Sequence, residues 1–444
     1  MKLIRKLLLL CIALISFALV SCGSDDPVVE DDDPMAMEDD DPMTDDDPMD
    51  GLEGTTEFLS PNLVYDGLVL INDAGNNRAY LMDKEAKNVF EWPLGGNNIG
   101  NDVFLLPDGR LLASLEADSP QITFGGKGGK IQFIAPDGTV EWNFDHSTAD
   151  HIAHHDVELL PNGNVITMVW ERITAEEAAQ NGSALNVDLF PEAIIEINPT
   201  TDEIVWEWHA WDHIIQDADD TKDNFGSVSE NPQLIDFNYV QEDNGDIMHA
   251  NGIGYDPDND LIYMSVNFFH EVWVIDHSTS TAEAASDTGG AFGKGGDLIY
   301  RFGNPTAYKN TEGKRRFYNN HFPNLLDKGP SGEQNLLIFI NKIEADTEQS
   351  VVYELQLPSP LTLQANTDNE PQVTWSFTDP DLFGARVSGA VELPNGNRMI
   401  AEADFGVWEV TDGGEVVWKF NGSGFFWRAY HYDKDAPEIM TLGL

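Results

Sequence analysis

The chain has 444 residues, 41% hydrophobic and 10% aromatic, enough to bury a sizeable core and too apolar for a wholly disordered protein. Its 78 acidic and 24 basic side chains give a formal charge of −54. With the acidic segment 23–50 and the basic start set aside, 64 acids still face 21 bases, and no basic stripe is present, which argues against a nucleic-acid partner.

The chain opens with a short basic region, Met1-Lys2-Leu3-Ile4-Arg5-Lys6, then an apolar run from Leu7 to Val20, too short to span a bilayer comfortably, then Ser21-Cys22-Gly23. That order is an export signal. Leu19-Val20-Ser21-Cys22 resembles a bacterial lipobox, which makes residues 1–21 a signal peptide and Cys22 the lipidation site. Cys11 and Cys22 are the only cysteines, so the exported part can close no internal disulfide. Residues 22–58 read as a linker dominated by Asp31-Asp32-Asp33-Pro34-Met35, Asp39-Asp40-Asp41-Pro42-Met43 and Asp45-Asp46-Asp47-Pro48-Met49. Like-charge repulsion and proline keep such a segment extended, and nothing arranges its carboxylates into a calcium cage. The acidic stretch after Cys22 also resembles a surface-export signal of bacterial lipoproteins. The expected location is therefore the cell envelope, on the outer membrane and facing outward, with membrane contact through the lipid anchor alone.

From residue 59 to 444 the pattern is short alternating apolar runs broken by Gly, Asn, Asp and Pro, an all-β signature. One unit is a strand running into a Pro-Asx-Gly turn: Pro107-Asp108-Gly109, Pro161-Asn162-Gly163 and Pro394-Asn395-Gly396, with Asp256-Pro257-Asp258-Asn259 as a looser copy. A second is a strand centred on aromatics: Trp142 and Phe144, Trp206 and Trp208, Tyr300 and Phe302, Trp375 and Phe377, Trp418 and Phe420, with Trp92 as a degenerate copy. Repetition of strand–turn–strand pairs predicts a six-bladed β-propeller, the aromatic strand lying in the outer half of each blade.

Phosphate and metal patterns fail. Gly125-Gly126-Lys127-Gly128-Gly129-Lys130 lacks the spacing and hydroxyl of a phosphate loop and reads as an exposed hairpin loop. Asp256, Asp258 and Asp260 alternate without the glycine and glutamate of a calcium loop, and His151, His154 and His155 lack further ligands at helpful spacing. Alignment on the turns is more informative. Six residues before each proline stand Asn101, His155, Asn251 and Ser388, with His249 two residues before Asn251, and His321 at the start of the fifth blade. If these strands are innermost, their polar residues converge at the propeller's funnel, as a small anionic ligand requires. His209, His213, His270, His277 and His431 have no such positional argument and read as structural.

Several segments, in order along residues 60–435, resemble the arylsulfotransferase family: His154-His155-Asp156-Val157-Glu158-Leu159-Leu160-Pro161-Asn162-Gly163, Asp246-Ile247-Met248-His249-Ala250-Asn251, Val272-Trp273-Val274-Ile275-Asp276-His277, Tyr300-Arg301-Phe302-Gly303-Asn304-Pro305, and Phe426-Trp427-Arg428-Ala429-Tyr430. The resemblance implies transfer of a sulfuryl group from an aryl sulfate ester to a phenol through a sulfohistidine, without a nucleotide sulfate donor; no cofactor or metal is expected. It maps the sulfated histidine onto His321 and sulfate-binding, acid–base histidines onto His155 and His249; Asn251, from the polar slot, is a further candidate substrate contact. A neutral imidazole suits the nucleophile's part. Phe268, Phe269, Phe322 and Tyr318 are candidates to stack on the aryl ring. The family's catalytic arginine falls on Asn267, which carries no charge, so Arg301, Arg316 or Lys342 would have to supply it. Two other readings stand beside this one. A non-catalytic surface propeller would bind a carbohydrate, a sulfated ligand or a protein, and a quinoprotein oxidoreductase would also repeat tryptophans. The sequence does not give the oligomeric state.

Overall fold

Hairpins set the architecture. In each Pro-Asx-Gly turn the glycine takes a left-handed φ, +82° at Gly109, +85° at Gly163 and +82° at Gly396. The Asx oxygen accepts the N–H two residues on: Asp108 from Arg110, Asn162 from Asn164 and Asn395 from Asn397. The computed structural model describes residues 51–329 and 332–444. The leader, Cys22 and the Asp-Pro-Met segment lie outside these.

Six antiparallel sheets follow one another as propeller blades, confirming the predicted count. Blades two to five each use consecutive strands, and their innermost strands are Ile99–Leu105, His151–Leu159, Ala250–Asp256 and Asn320–Leu325. Blade six starts on Gly389–Glu392. Blade one is composite: the C-terminal strand Phe426–Tyr432 is innermost, followed by Leu68–Asp73, Arg78–Met82 and Asn88–Trp92. Closure is doubled, because Gly54–Phe58 pairs with Val416–Gly422 as a fifth strand of blade six. Those residues were expected in the linker; the alternation of Thr55-Thr56-Glu57-Phe58 lets them cover an otherwise open edge.

The aromatic strands lie in the outer half of each blade, and their polar edges join neighbours. Trp92, Trp142, Trp206, Trp375 and Trp418 each donate an indole N–H to a loop of the next blade, onto Gly109, Asp202, Thr279, Asp412 and Lys84 respectively. The Tyr300 hydroxyl does the same to the Asn369 carbonyl. Each repeat thus supplies apolar area between sheets and a hydrogen bond that fixes the stagger of adjacent blades. The motif legible in the sequence is a chain of blade-to-blade ties.

Candidate active site

Bulges at the starts of the inner strands build the site. Register slips occur between Ile99 and Val103, between Ala250 and Gly252, between His321 and Asn324, and opposite His155 in blade three. His155, His249 and Phe322 there take left-handed φ of 56°, 52° and 55°. A bulge of this kind re-aims side chains, and here it turns them from the sheet toward the axis.

His155, His249 and His321 come together with Arg428. The His155 and His249 rings are 5.0 Å apart between centroids, edge to face. Trp427 lies 5.6 Å from His155. Arg428, from the inner strand of blade one, is buried and pairs with Asp102 and, at 2.9 Å, with Asp156. It also donates to the Asn251 carbonyl at 3.1 Å and lies 4.0 Å over the Phe322 ring. Burial opposes its charge, and the two carboxylates more than offset that, so it stays cationic.

Each histidine has an orienting partner. His321 Nδ1 lies 2.6 Å from Asn341 Oδ1, so this nitrogen carries the proton and Nε2 keeps a lone pair. Burial first, and then His249 and Arg428, push the His321 pKa down to about 3, so the ring is neutral at pH 7. Its Nε2 accepts the Val387 N–H at 3.2 Å. Val387 and Ser388 hold φ of 47° and 83°, a left-handed conformation that costs a β-branched residue of the order of 1–3 kcal/mol. Asn341 Nδ2 pins this segment through the Gly384 and Val387 carbonyls at 2.8 and 3.0 Å.

Blade three adds a hydrogen-bonded line. Glu192 meets His154 Nε2 at 2.8 Å, and His154 Nδ1 meets His155 Nδ1 at 2.8 Å. Burial raises the Glu192 pKa well above the ordinary range and lowers those of both imidazoles. A neutral Glu192 donating to His154, which donates to His155, leaves the His155 proton on Nε2. His249 Nδ1 lies 2.5 Å from Asp246, and Phe268 stacks on the His249 ring at 4.7 Å. His249 is the wettest of the cluster, with 19% of its side chain exposed.

The remaining sequence candidates divide. Asn251 is buried at the axis, where its amide donates to the Asn320 carbonyl at 2.8 Å. Asn267 donates to Asn319 and to the Asn320 carbonyl, beside His321 in the chain. Arg301 is not part of the cluster. It sits on the outermost strand of blade four, fully buried, its guanidinium bound to Glu271 and to the Pro232 and Leu234 carbonyls. Phe269 packs in the core against Trp273, whereas Phe268 and Tyr318 line a cavity.

Sequence reading missed Arg428 as a site residue, although a lone arginine inside an apolar strand was a signal. It also missed the orienting residues Asn341 and Glu192, which reach their histidines from other strands, and Asp246, three residues before His249. The glycine-rich loop is not simply an exposed hairpin. Gly126 accepts the His155 N–H and the Asn101 amide through its carbonyl. A Cβ on Gly126 would lie 2.1 Å from His155 Cε1 and Nε2, and its φ is +80°. Gly126→Ala should therefore displace the imidazole and lower kcat of the protein's reaction by about 100-fold while global unfolding shifts little. Turnover and thermal unfolding on the same variant check this, and a variant as active as wild type would remove His155 from the site.

The family model for Arylsulfotransferase (ASST) matches residues 60–419. No curated protein matches the chain. Among solved structures, a candidate 6-phosphogluconolactonase of Bacteroides fragilis aligns at 11% identity over 83% of this chain and 98% of its own, with a TM-score of 0.42. The hydrazine synthase of Kuenenia stuttgartiensis aligns at 14% identity over 63% and 65%, with a TM-score of 0.36. A luciferin-regenerating enzyme aligns at 11% over 84% and 99%, with a TM-score of 0.34. Likenesses this remote carry no inference about activity.

Proposed function

The chain belongs to the arylsulfotransferase family, and from that premise we propose that it moves a sulfuryl group from an aryl sulfate ester to a phenol through a covalent intermediate on His321. The observation that carries the reading is the His321–Asn341 hydrogen bond, which leaves the Nε2 lone pair of a neutral, buried imidazole as the nucleophile.

In the first step the Val387 N–H gives up Nε2, and the lone pair attacks sulfur. The N–S bond forms as the S–O(aryl) bond breaks, and the aryl oxide leaves with the bonding pair. His249 Nε2, its Nδ1 held by Asp246, passes a proton to that oxide in this mechanism. His155, with its proton on Nε2, donates to a sulfuryl oxygen, and Arg428 supplies the fixed positive charge beneath the cluster. In the second step His249 takes the acceptor phenol's proton, the phenol oxygen attacks sulfur, and the N–S pair returns to His321. Asn267 offers only a neutral donor where the family has an arginine. Arg428 is the buried cation that can take over the charge.

Nitrophenol release from 4-nitrophenyl sulfate, with and without added phenol, tests the activity. Release that requires phenol supports transfer, release without it indicates hydrolysis, and none in either condition favours a binding propeller. Asn341→Leu should lower kcat by about 100- to 1,000-fold, because His321 then loses its tautomer and the 384–387 segment its anchor, with KM changed far less. An unchanged kcat would remove this nitrogen from the chemistry. We further propose that the domain is exported and lipid-anchored through Cys22, facing outward, which radiolabelled palmitate incorporation lost in Cys22→Ser would support.

A further inference from the structure

A cavity of about 390 Å³ opens beside His249, within the ~300–1,000 Å³ range of small-molecule sites. Phe268, whose ring is stacked on His249, forms one wall, and Tyr318 forms part of another. Asn267 on the lining donates to Asn319, also on the lining and two residues before His321, so the cavity wall reaches His249 through Phe268 and the His321 strand through Asn319.

Its charge is the unexpected feature. The chain carries a large acidic excess, and most cations of the propeller sit in ion pairs, among them Arg78, Lys84, Arg110, Lys127, Arg172 and Arg398. Arg315 and Lys342 both line this cavity, and neither has a carboxylate within ion-pair distance among the described residues. Arg315 lies 4.1 Å over the Tyr318 ring and spends only its Nε, on the Phe317 carbonyl at 3.0 Å. His270 adds a donor. Its Nδ1 accepts the Asn319 N–H at 3.0 Å, so the proton is on Nε2. Burial, and then Arg315, push its pKa down to about 3, keeping it neutral at pH 7. Glu242 is the carboxylate on the lining, exposed and paired with neither cation. Two unpaired cations and a neutral N–H donor around aromatic walls match an aromatic ring that bears its own negative charge.

We propose that this cavity receives aromatic substrates carrying a second anionic group, such as a carboxylate, with the ring against Phe268 and Tyr318 and the charge held by Arg315 and Lys342. The proposal rests on the arylsulfotransferase reading for its orientation toward His249. Because donor and acceptor use the site in turn, the same recognition applies to the aryl part of either. It gives an acidic protein a local means of attracting anions that its overall field repels.

The test compares 4-hydroxybenzoate with its uncharged methyl ester as acceptors from 4-nitrophenyl sulfate, in wild type and in R315Q/K342Q. Wild type should prefer the acid by about tenfold in kcat/KM, and the double variant should lose that preference while its turnover of the ester stays within about threefold. A wild-type preference for the ester, or a preference for the acid that survives in the double variant, would overturn the proposal. Equilibrium dialysis of the same two compounds separates this from the activity itself. If neither compound is turned over, the transferase reading fails. Tighter binding of the acid that is lost in R315Q/K342Q would still support the anion pocket, and equal binding of both compounds would overturn it.

Discussion

His321→Asn should abolish sulfuryl transfer, lowering kcat by about 10,000-fold or more, because the proposed covalent intermediate then has no imidazole nitrogen to form on at that position. The asparagine keeps a polar group between Asn341 and Val387, so circular dichroism and thermal unfolding should remain close to wild type. His155→Gln and His249→Gln should each cost less, about 100- to 1,000-fold, since the proposed mechanism has them act on charge and protons rather than form the bond. The neutral state of His321 sharpens this. With its pKa pushed down to about 3, loss of activity between pH 7 and pH 5 cannot come from protonation of the nucleophile. A His321 variant that retains acceptor-dependent turnover would mean that another residue, or direct transfer, carries the reaction.

Arg428→Met should be the most destabilising single change in the site, by about 3–5 kcal/mol in chemical unfolding, because it strands two buried carboxylates. Arg428 is nearly inaccessible, and Asp102 and Asp156 have no other cation within ion-pair reach among the described residues. Burial and the Asp102 charge already push Asp156 up to about 7, which shows how little surplus charge the pocket tolerates. Removing the whole cluster, as R428M/D102N/D156N, should recover much of the stability, because neutral groups no longer need a counter-ion. Activity should not recover with it, since the sulfuryl group then lacks its fixed positive charge. A triple variant that regains both would reduce Arg428 to a structural ion pair.

The fold was legible in the sequence because its signals were local and repeated. The Pro-Asx-Gly turns encode left-handed glycines, and the aromatic strands encode the seams between blades. Counting the aromatics gave six blades without knowledge of which strands pair. What escaped was the use of the chain ends: Gly54–Phe58 as a fifth strand and Phe426–Tyr432 as an inner one, since neither pairing has a local signature.

The grouping of the candidate residues was legible to the same depth. The slot before the turns picked out His155 and Asn251, proximity to it picked out His249, and the expected start of the fifth blade picked out His321, because each blade starts at an equivalent place on the axis. Partners from other strands were invisible: Asn341 for His321, Glu192 beyond His154, and Arg428 arriving from the far end of the chain. Arg301 misled for the same reason. Its sequence neighbourhood fitted the family, but its side chain is buried against Glu271 of its own blade and the carbonyls of Pro232 and Leu234. His270 read as structural because it stands outside the slot, yet it lines the cavity beside His249.

The most direct test of the central claim is the mass of the protein after mixing with 4-nitrophenyl sulfate in the absence of acceptor, quenched in alkali to spare an acid-labile N–S bond. The account predicts a gain of about 80 Da, one sulfuryl group per chain, mapped to the peptide containing His321, absent from His321→Asn and discharged by phenol. Steady turnover with no mass gain, or a sulfuryl group on any other residue, would contradict it.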